Sequence, residues 1–114
     1  MVEVIGVTER LRMVEKISLD DLLLSVVDGT IRQVFREEGS KVIYDYLENS
    51  SHLKLEEIAD KPEVFSAGLE RLLGSGAPVI ERLILKNLYR KLGLKFEEKP
   101  GYEFSDYIRE LKEG

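Results

Sequence analysis

Residues 77–93 read APVIERLILKNLYRKLG, and this run decides the architecture. Proline is tolerated in a first helical turn, whose amides lack intrahelical acceptors, and a glycine just past a helix accepts the left-handed stop. The spacing therefore predicts a helix from Ala77 to Leu92, ended by Gly93. On a helical projection Val79, Ile80, Leu83, Ile84, Leu85, Leu88 and Leu92 occupy most of the circumference, and the widest gap holds Arg82, Lys86 and Arg90 at successive i+4 positions. A helix apolar on several sides is buried on several sides. The expectation is a central helix of an all-α bundle, with one basic ridge left in solvent.

Working outward, Gly74-Ser75-Gly76-Ala77-Pro78 reads as a helix end, a tight connection and a helix start. The helix before it opens at Asp60-Lys61-Pro62-Glu63, where Asp caps and Glu completes the box, and carries Val64, Phe65, Leu69, Leu72 and Leu73. A short turn, Leu53 to Ala59, precedes it. Ser40 is expected to cap a helix with Val42, Ile43, Tyr46 and Leu47, running out at Asn49-Ser50-Ser51. Ser18-Leu19-Asp20-Asp21 marks another start. From there Leu19, Leu22, Leu23, Val26, Val27, Ile31, Val34 and Phe35 recur at helical spacing, opposite Asp21, Ser25, Asp28, Arg32 and Arg36, and the helix is expected to end near Gly39. Gly29 inside it signals either close packing against another helix or a tolerated glycine. Downstream, Ser105 is expected to cap a last short helix, Phe104 to Leu111.

The domain expected over residues 18–114 is thus a compact bundle of about five helices. Residues 1–17 stand apart as an N-terminal arm: Val2, Val4 and Val7 suggest a strand, Leu11, Val14 and Ile17 a helical turn, and the preferred reading is extended. An internal repeat is also legible. Leu53-Lys54-Leu55-Glu56-Glu57 and Leu94-Lys95-Phe96-Glu97-Glu98 match at an offset of 41 residues, as do Ile43/Ile84 and Leu47/Leu88. Pro62 and Pro100 follow. The match resumes at an offset of 39, as Phe65-Ser66, Leu69 and Leu72 against Phe104-Ser105, Ile108 and Leu111. A helix-linker-helix duplication would place Phe65 and Phe104 as equivalent wedges in an approximately two-fold bundle.

Composition removes whole chemistries. The 114 residues include one histidine and no cysteine, so a thiol nucleophile, a zinc knuckle, an Fe–S cluster and a multi-His metal site are all excluded. The formal charge of −5 argues against non-specific wrapping of nucleic acid, whose affinity comes from basic residues displacing counterions. Nothing resembles a signal peptide or an 18-residue apolar span, which points to a cytoplasmic, membrane-free protein. Abundant Glu and Lys beside only three amide side chains (Gln33, Asn49, Asn87) fit a thermophilic source.

No GxSxG, P-loop or GxGxxG is present, and neither a nucleophile nor an acid–base pair can be assigned, so no enzymatic activity, catalytic residue, metal or cofactor is expected. His52 reads as a solvated loop residue. The acid pairs Asp20-Asp21, Glu56-Glu57 and Glu97-Glu98 point in divergent directions on a helix and lack the alternation of a calcium loop. Asn87, within the apolar arc, is expected to bond a neighbouring backbone turn. The candidate partner-binding residues are Arg82, Lys86 and Arg90 with Tyr89 beside them, a cation-plus-aromatic surface suited to a protein partner or to nucleic acid. A helix-turn-helix reading of 55–73 gives a poor groove reader, with Lys61 and Arg71 set against Glu63 and Glu70. A third expectation is an apolar ligand held by Phe65, Tyr89 and Phe104.

The run KPEVFSAGLERLLGSGAPVIERLILKNLYRKLGLKFEEKPGYEFSDYIREL, with the preceding VIYDYLENSSHLKLEEI, resembles small all-helical output domains of archaeal signal-transduction proteins. The likeness covers roughly residues 19 to 112 and rests on Pro62, Phe65-Ser66, Gly74-Ser75-Gly76-Ala77 and Lys99-Pro100-Gly101-Tyr102. It implies a non-enzymatic regulatory or interaction module and supplies no catalytic residue. Combined with the hydrophobic arm, it leads to the expectation of a homodimer joined through residues 1–17, with a DNA-binding regulator as the alternative.

Overall fold

The helix predicted from 77–93 is present as α3, Ala77–Lys91, with Ile80, Ile84, Leu85, Leu88 and Tyr89 buried along it. The computed structural model describes the backbone of residues 2–113 and the side chains of residues 19–113. Around α3 stand α1, Val2–Ser51, α2, Pro62–Leu73, and α4, Phe104–Glu113. No strand occurs among the described residues, and the fold is all-α.

Gly93 ends α3 as its position suggests. Its φ is +72°, its amide donates to Arg90 O (3.1 Å), and the Leu94 amide returns to Tyr89 O (2.9 Å), so the last carbonyls of the helix are satisfied around one left-handed residue. The other termini use different residues from those expected. Lys61, not Asp60, holds the N-cap position of α2, with no side-chain cap bond. At α4 the capping group is Asp106, whose Oδ2 accepts the Glu103 amide at 2.8 Å, while Ser105 is buried.

Expectations about the N-terminal half are corrected. Residues from Val2 onward are helical and continuous with the segment that follows Ser18, so the backbone is not an extended arm and Ser18 does not start a helix. The helical alternative carried by Leu11, Val14 and Ile17 prevails, in a stretch without proline. The packing of the side chains of residues 1–17, and any dimer made through them, lies outside the described residues. The break expected near Gly39 falls instead at Arg36, with φ 64° and ψ −173°. That conformation is costly for a residue bearing a Cβ.

The corner at Arg36 is held by specific contacts. Ser40, fully buried, donates its Oγ to Arg36 O at 2.5 Å and so sits inside the following limb of α1 instead of capping it. Gly39 makes room for the ring-bearing neighbour, since a Cβ there would lie 2.9 Å from Phe35 Cβ. Arg32 spans the corner, bonding Asp28 (2.9 Å) before it and Glu37 (2.6 Å) after it. Tyr44 reaches back to donate to Asp28 at 2.7 Å, and burial, aided by that carboxylate, pushes its phenol upward.

The core lies where the limbs of α1 meet α2, α3 and α4: Leu23, Val27, Ile31, Ile43 and Leu47 pack with Phe65, Leu69, Ile84, Leu88 and Ile108, all at most 3% exposed. Phe65 and Phe104 touch, ring centroids 5.7 Å apart. Gly68 of α2 approaches α1 so closely that a Cβ would meet Leu47 Cδ2 at 2.5 Å. Gly29, by contrast, is exposed with nothing within 4 Å of an added Cβ, so it serves no close packing. Gly29→Ala is therefore expected to raise the urea midpoint by the equivalent of about 0.5–1 kcal/mol, by removing backbone freedom from the unfolded chain. A loss of stability would show that the position is more crowded than its surroundings indicate.

Candidate interaction surface

The outer face of α3 is set by which of its sides the bundle covers. One side is taken by α1: Asn87 donates to Thr30 Oγ1 at 3.0 Å across the two helices, so the amide bonds a buried side chain and not the expected backbone turn. Leu19 and Leu22 of α1 share a cavity with Leu92 and Leu94 at the end of α3, so the two helices run antiparallel. The opposite side is covered by the segment after Gly93, where Phe96 lies edge-on to Tyr89 (5.2 Å) and against Tyr107 (5.3 Å).

What remains uncovered is a strip of Val79, Arg82, Leu83, Lys86 and Arg90. Val79 is 58% exposed and Leu83 38%. These are large apolar side chains held in water on one side of the molecule. Arg82 forms an ion pair with Glu98 at 2.5 Å, which ties the 94–103 segment to α3. Lys86 and Arg90 are exposed and, among the described residues, make no ion pair. The strip thus combines an apolar line with two cations that have no ion-pair partner among the described residues.

Tyr89 does not belong to it. At 8% exposure it is part of the core edge beneath Phe96, and burial raises its phenol above the ordinary range, with Glu110 adding to the effect. The structure therefore groups Arg82, Lys86 and Arg90 as expected and removes the aromatic from beside them. Val79 and Leu83 take the apolar role there. The projection had placed both in the buried arc, and their exposure follows from how little of α3 the short helices cover.

Other candidate sites fare differently. Phe65 and Phe104 meet in the core with their rings tilted 50° to each other, and Tyr89 is buried as well, so the Phe65, Tyr89, Phe104 trio is packed interior. A groove of about 790 Å³ opens instead between Leu19, Leu22, Leu92 and Leu111, rimmed by Lys95, Lys99 and Glu110. Its rim is internally paired: Lys99 meets Glu110 at 2.6 Å, Tyr102 donates to the same carboxylate at 2.7 Å, and this holds Glu110 below its usual range. His52 is exposed, with φ 50°, just past the end of α1. Among the described residues no group of three or more His, Asp or Glu side chains is placed to hold a metal, and no helix is long and apolar enough to cross a membrane.

A second crevice, of about 480 Å³, is lined by Glu63, Glu70, Glu81, Glu98 and Glu103, with Arg82 and Lys99 also on its wall. Glu81 is half-buried there and accepts a bond from Ser66 Oγ. Burial is the main cause that lifts its carboxyl above the usual range; the Ser66 bond opposes this, and Glu70 and Glu103 reinforce it. A carboxyl with a raised folded pKa binds its proton more tightly in the folded than in the unfolded chain. The folded state therefore loses stability as pH rises out of the ordinary carboxylate range through that folded pKa. Glu81→Gln keeps an acceptor for Ser66 and removes the charge. Its thermal midpoint is expected above that of the wild type at neutral pH and level with it in strong acid; equal midpoints at both would show that the charge at 81 costs nothing.

Comparison of the chain with protein-family models, with curated proteins and with solved structures gives no match.

Proposed function

We propose that this chain is a non-enzymatic regulatory module that recognises a protein partner through the outer face of α3, as part of an archaeal-type signalling system in the cytoplasm of a thermophile. The observation that carries the reading is the strip itself: Val79 and Leu83 exposed in line with Lys86 and Arg90, which have no ion-pair partners among the described residues. Exposed apolar residues rimmed by charge are how soluble domains present docking sites. The resemblance to helical output domains points the same way.

Within this reading the two limbs of α1 act as separate helices across Arg36, giving a five-helix unit built by duplication. Equal burial of Ile43 and Ile84, and of Leu47 and Leu88, supports this, as does the Phe65–Phe104 contact; the linker differs, since Leu53 is buried and Leu94 exposed. The alternative, a DNA reader using the same cations, is disfavoured by charge. Arg82 is partly neutralised by Glu98, and the carboxylates of the adjoining crevice would repel phosphates.

The test is a photoreactive residue placed at Leu83 in the full chain inside cells, with Arg109 on the exposed side of α4 as control. The expected result is a discrete protein adduct at 83, identified by mass spectrometry, lost on Lys86→Glu with Arg90→Glu and absent at 109. Adducts that nuclease removes, or the same pattern at both positions, would overturn the reading.

A further inference from the structure

We infer that the partner seated on α3 is a second copy of this chain, which contributes the outward face of residues 37–51. The inference rests on the reading of α3 as an interaction surface and names its occupant. In the limb of α1 after Arg36, Glu38, Val42, Asp45 and Asn49 follow one another at i, i+4, i+7 and i+11, and all are exposed. Val42 is 61% exposed, more than any other large apolar side chain of the described residues. Glu38, Asp45 and the flanking Glu48 make no ion pair among those residues; Lys41 lies between them, and Arg36 lines a cavity with Glu38 at the start of the limb. This strip is net acidic around an apolar centre, opposite in sign to the strip on α3.

The two strips also correspond position by position. At the offset of 41 residues that aligns Ile43 with Ile84 and Leu47 with Leu88, Val42 stands where Leu83 does, Asp45 where Lys86 does and Asn49 where Arg90 does. The inward positions of the two helices are alike; of the outward ones, Asp45 opposes Lys86 in charge, Asn49 is neutral where Arg90 is cationic, and Lys41 repeats the charge of Arg82, which Glu98 pairs. Laid together in register, Val42 meets Leu83, and Asp45 and Glu48 lie alongside Lys86 and Arg90. The same alignment within one molecule is unavailable, since both helices already face the core with their inward sides. The apolar centre supplies contact, and the flanking charges fix the register and reject a like-charged face.

One helix pairing of this length is smaller than the roughly 1,600 Å² of a typical stable interface, so self-association should depend on protein concentration and weaken with salt. Sedimentation velocity on the full chain, from micromolar to millimolar and at low and high salt, reads this directly. Two charge reversals test the pairing: Lys86→Glu with Arg90→Glu, and Glu38→Lys with Asp45→Lys. Each variant alone should sediment as a monomer, while an equimolar mixture of the two, or the single chain carrying all four changes, should recover the wild-type association. Circular dichroism checks the fold of each, and Lys86→Gln with Arg90→Gln serves if a reversal unfolds.

A wild-type chain that is monomeric at every concentration overturns the inference, and so does an oligomer that both reversals leave intact. Association lost in each reversal but not recovered on mixing overturns it as well. A monomer that still yields a foreign protein adduct at Leu83 would overturn the identity of the partner while leaving the α3 surface in place. A monomer without any adduct would remove both.

Discussion

Phe65→Ala is expected to lower the stability of the folded chain by about 3–5 kcal/mol, read as a drop in urea midpoint at unchanged slope. Phe65 is fully buried and lies against Phe104 at a centroid separation of 5.7 Å, in the space where α2 and α4 close over α3. Truncation removes the transfer energy of a whole ring and leaves a cavity bordered by helices that cannot all move inward together. Domains of this size have on the order of 5–15 kcal/mol in total, so the variant should be partly unfolded at moderate temperature. Phe65→Leu should cost much less. The Phe65→Ala, Phe104→Ala double variant should lose less than the sum of the single losses, because each ring is a large part of the other's environment. A loss below about 1 kcal/mol for Phe65→Ala would contradict the placement of this ring at the centre.

The second large effect belongs to Gly68→Val. A Cβ at this buried position meets Leu47 Cδ2 at 2.5 Å and Ser51 Oγ at 3.0 Å, and the latter is a buried hydroxyl with no hydrogen-bond partner among the described residues. Overpacking of this kind typically costs about 1–3 kcal/mol, and a β-branched residue adds volume in the direction where α2 and α1 are closest. Gly68→Ala should cost less, since Leu47 can turn its terminal methyl aside. Adding Leu47→Ala to Gly68→Val should recover part of the loss in a double-mutant cycle, whereas simple additivity would mean that the clash lies elsewhere.

The parts of the fold that could be read in the sequence are those where local chemistry and tertiary packing agree. Pro62, Gly74, Pro78 and Gly93 bracket α2 and α3 because helix ends need those residues whatever surrounds them. The apolar positions of the first helix were legible from Leu19 onward for the same reason. The corner at Arg36 was not, because Phe35-Arg36-Glu37-Glu38 contains no breaker. There the chain bends so that Ile31 and Ile43 can bury in one core, and a bond from Ser40 and an Arg32 clamp hold a conformation that local propensity disfavours. Gly39, the residue that looked like the breaker, is used for close approach to Phe35.

The candidate surface divides in the same way. The i+4 spacing of Arg82, Lys86 and Arg90 was enough to place them together on one exposed ridge. Tyr89 lies only about 20° from Arg82 on a projection with 3.6 residues per turn, so periodicity alone could not separate them. What separates them is the segment after Gly93, which folds Phe96 over the tyrosine. The exposure of Val79 and Leu83 was hidden for the complementary reason: an apolar residue on a helix is read as core until the neighbours that would cover it are counted. The signal that locates them is a seven-residue spacing, Val79 from Lys86 and Leu83 from Arg90, which puts each about 20° from a cation on the projection.

Under the proposed function, the fold leaves the apolar line on α3 to a partner instead of using it for its own core. Equilibrium unfolding of the Val79→Ser, Leu83→Ser double variant tests this most directly. If the line is spare, the unfolding free energy stays within about 0.5 kcal/mol of the wild type, as for ordinary surface substitutions. A loss of about 2 kcal/mol or more, the scale of truncations in a packed core, would show that Val79 and Leu83 belong to the interior and contradict the account.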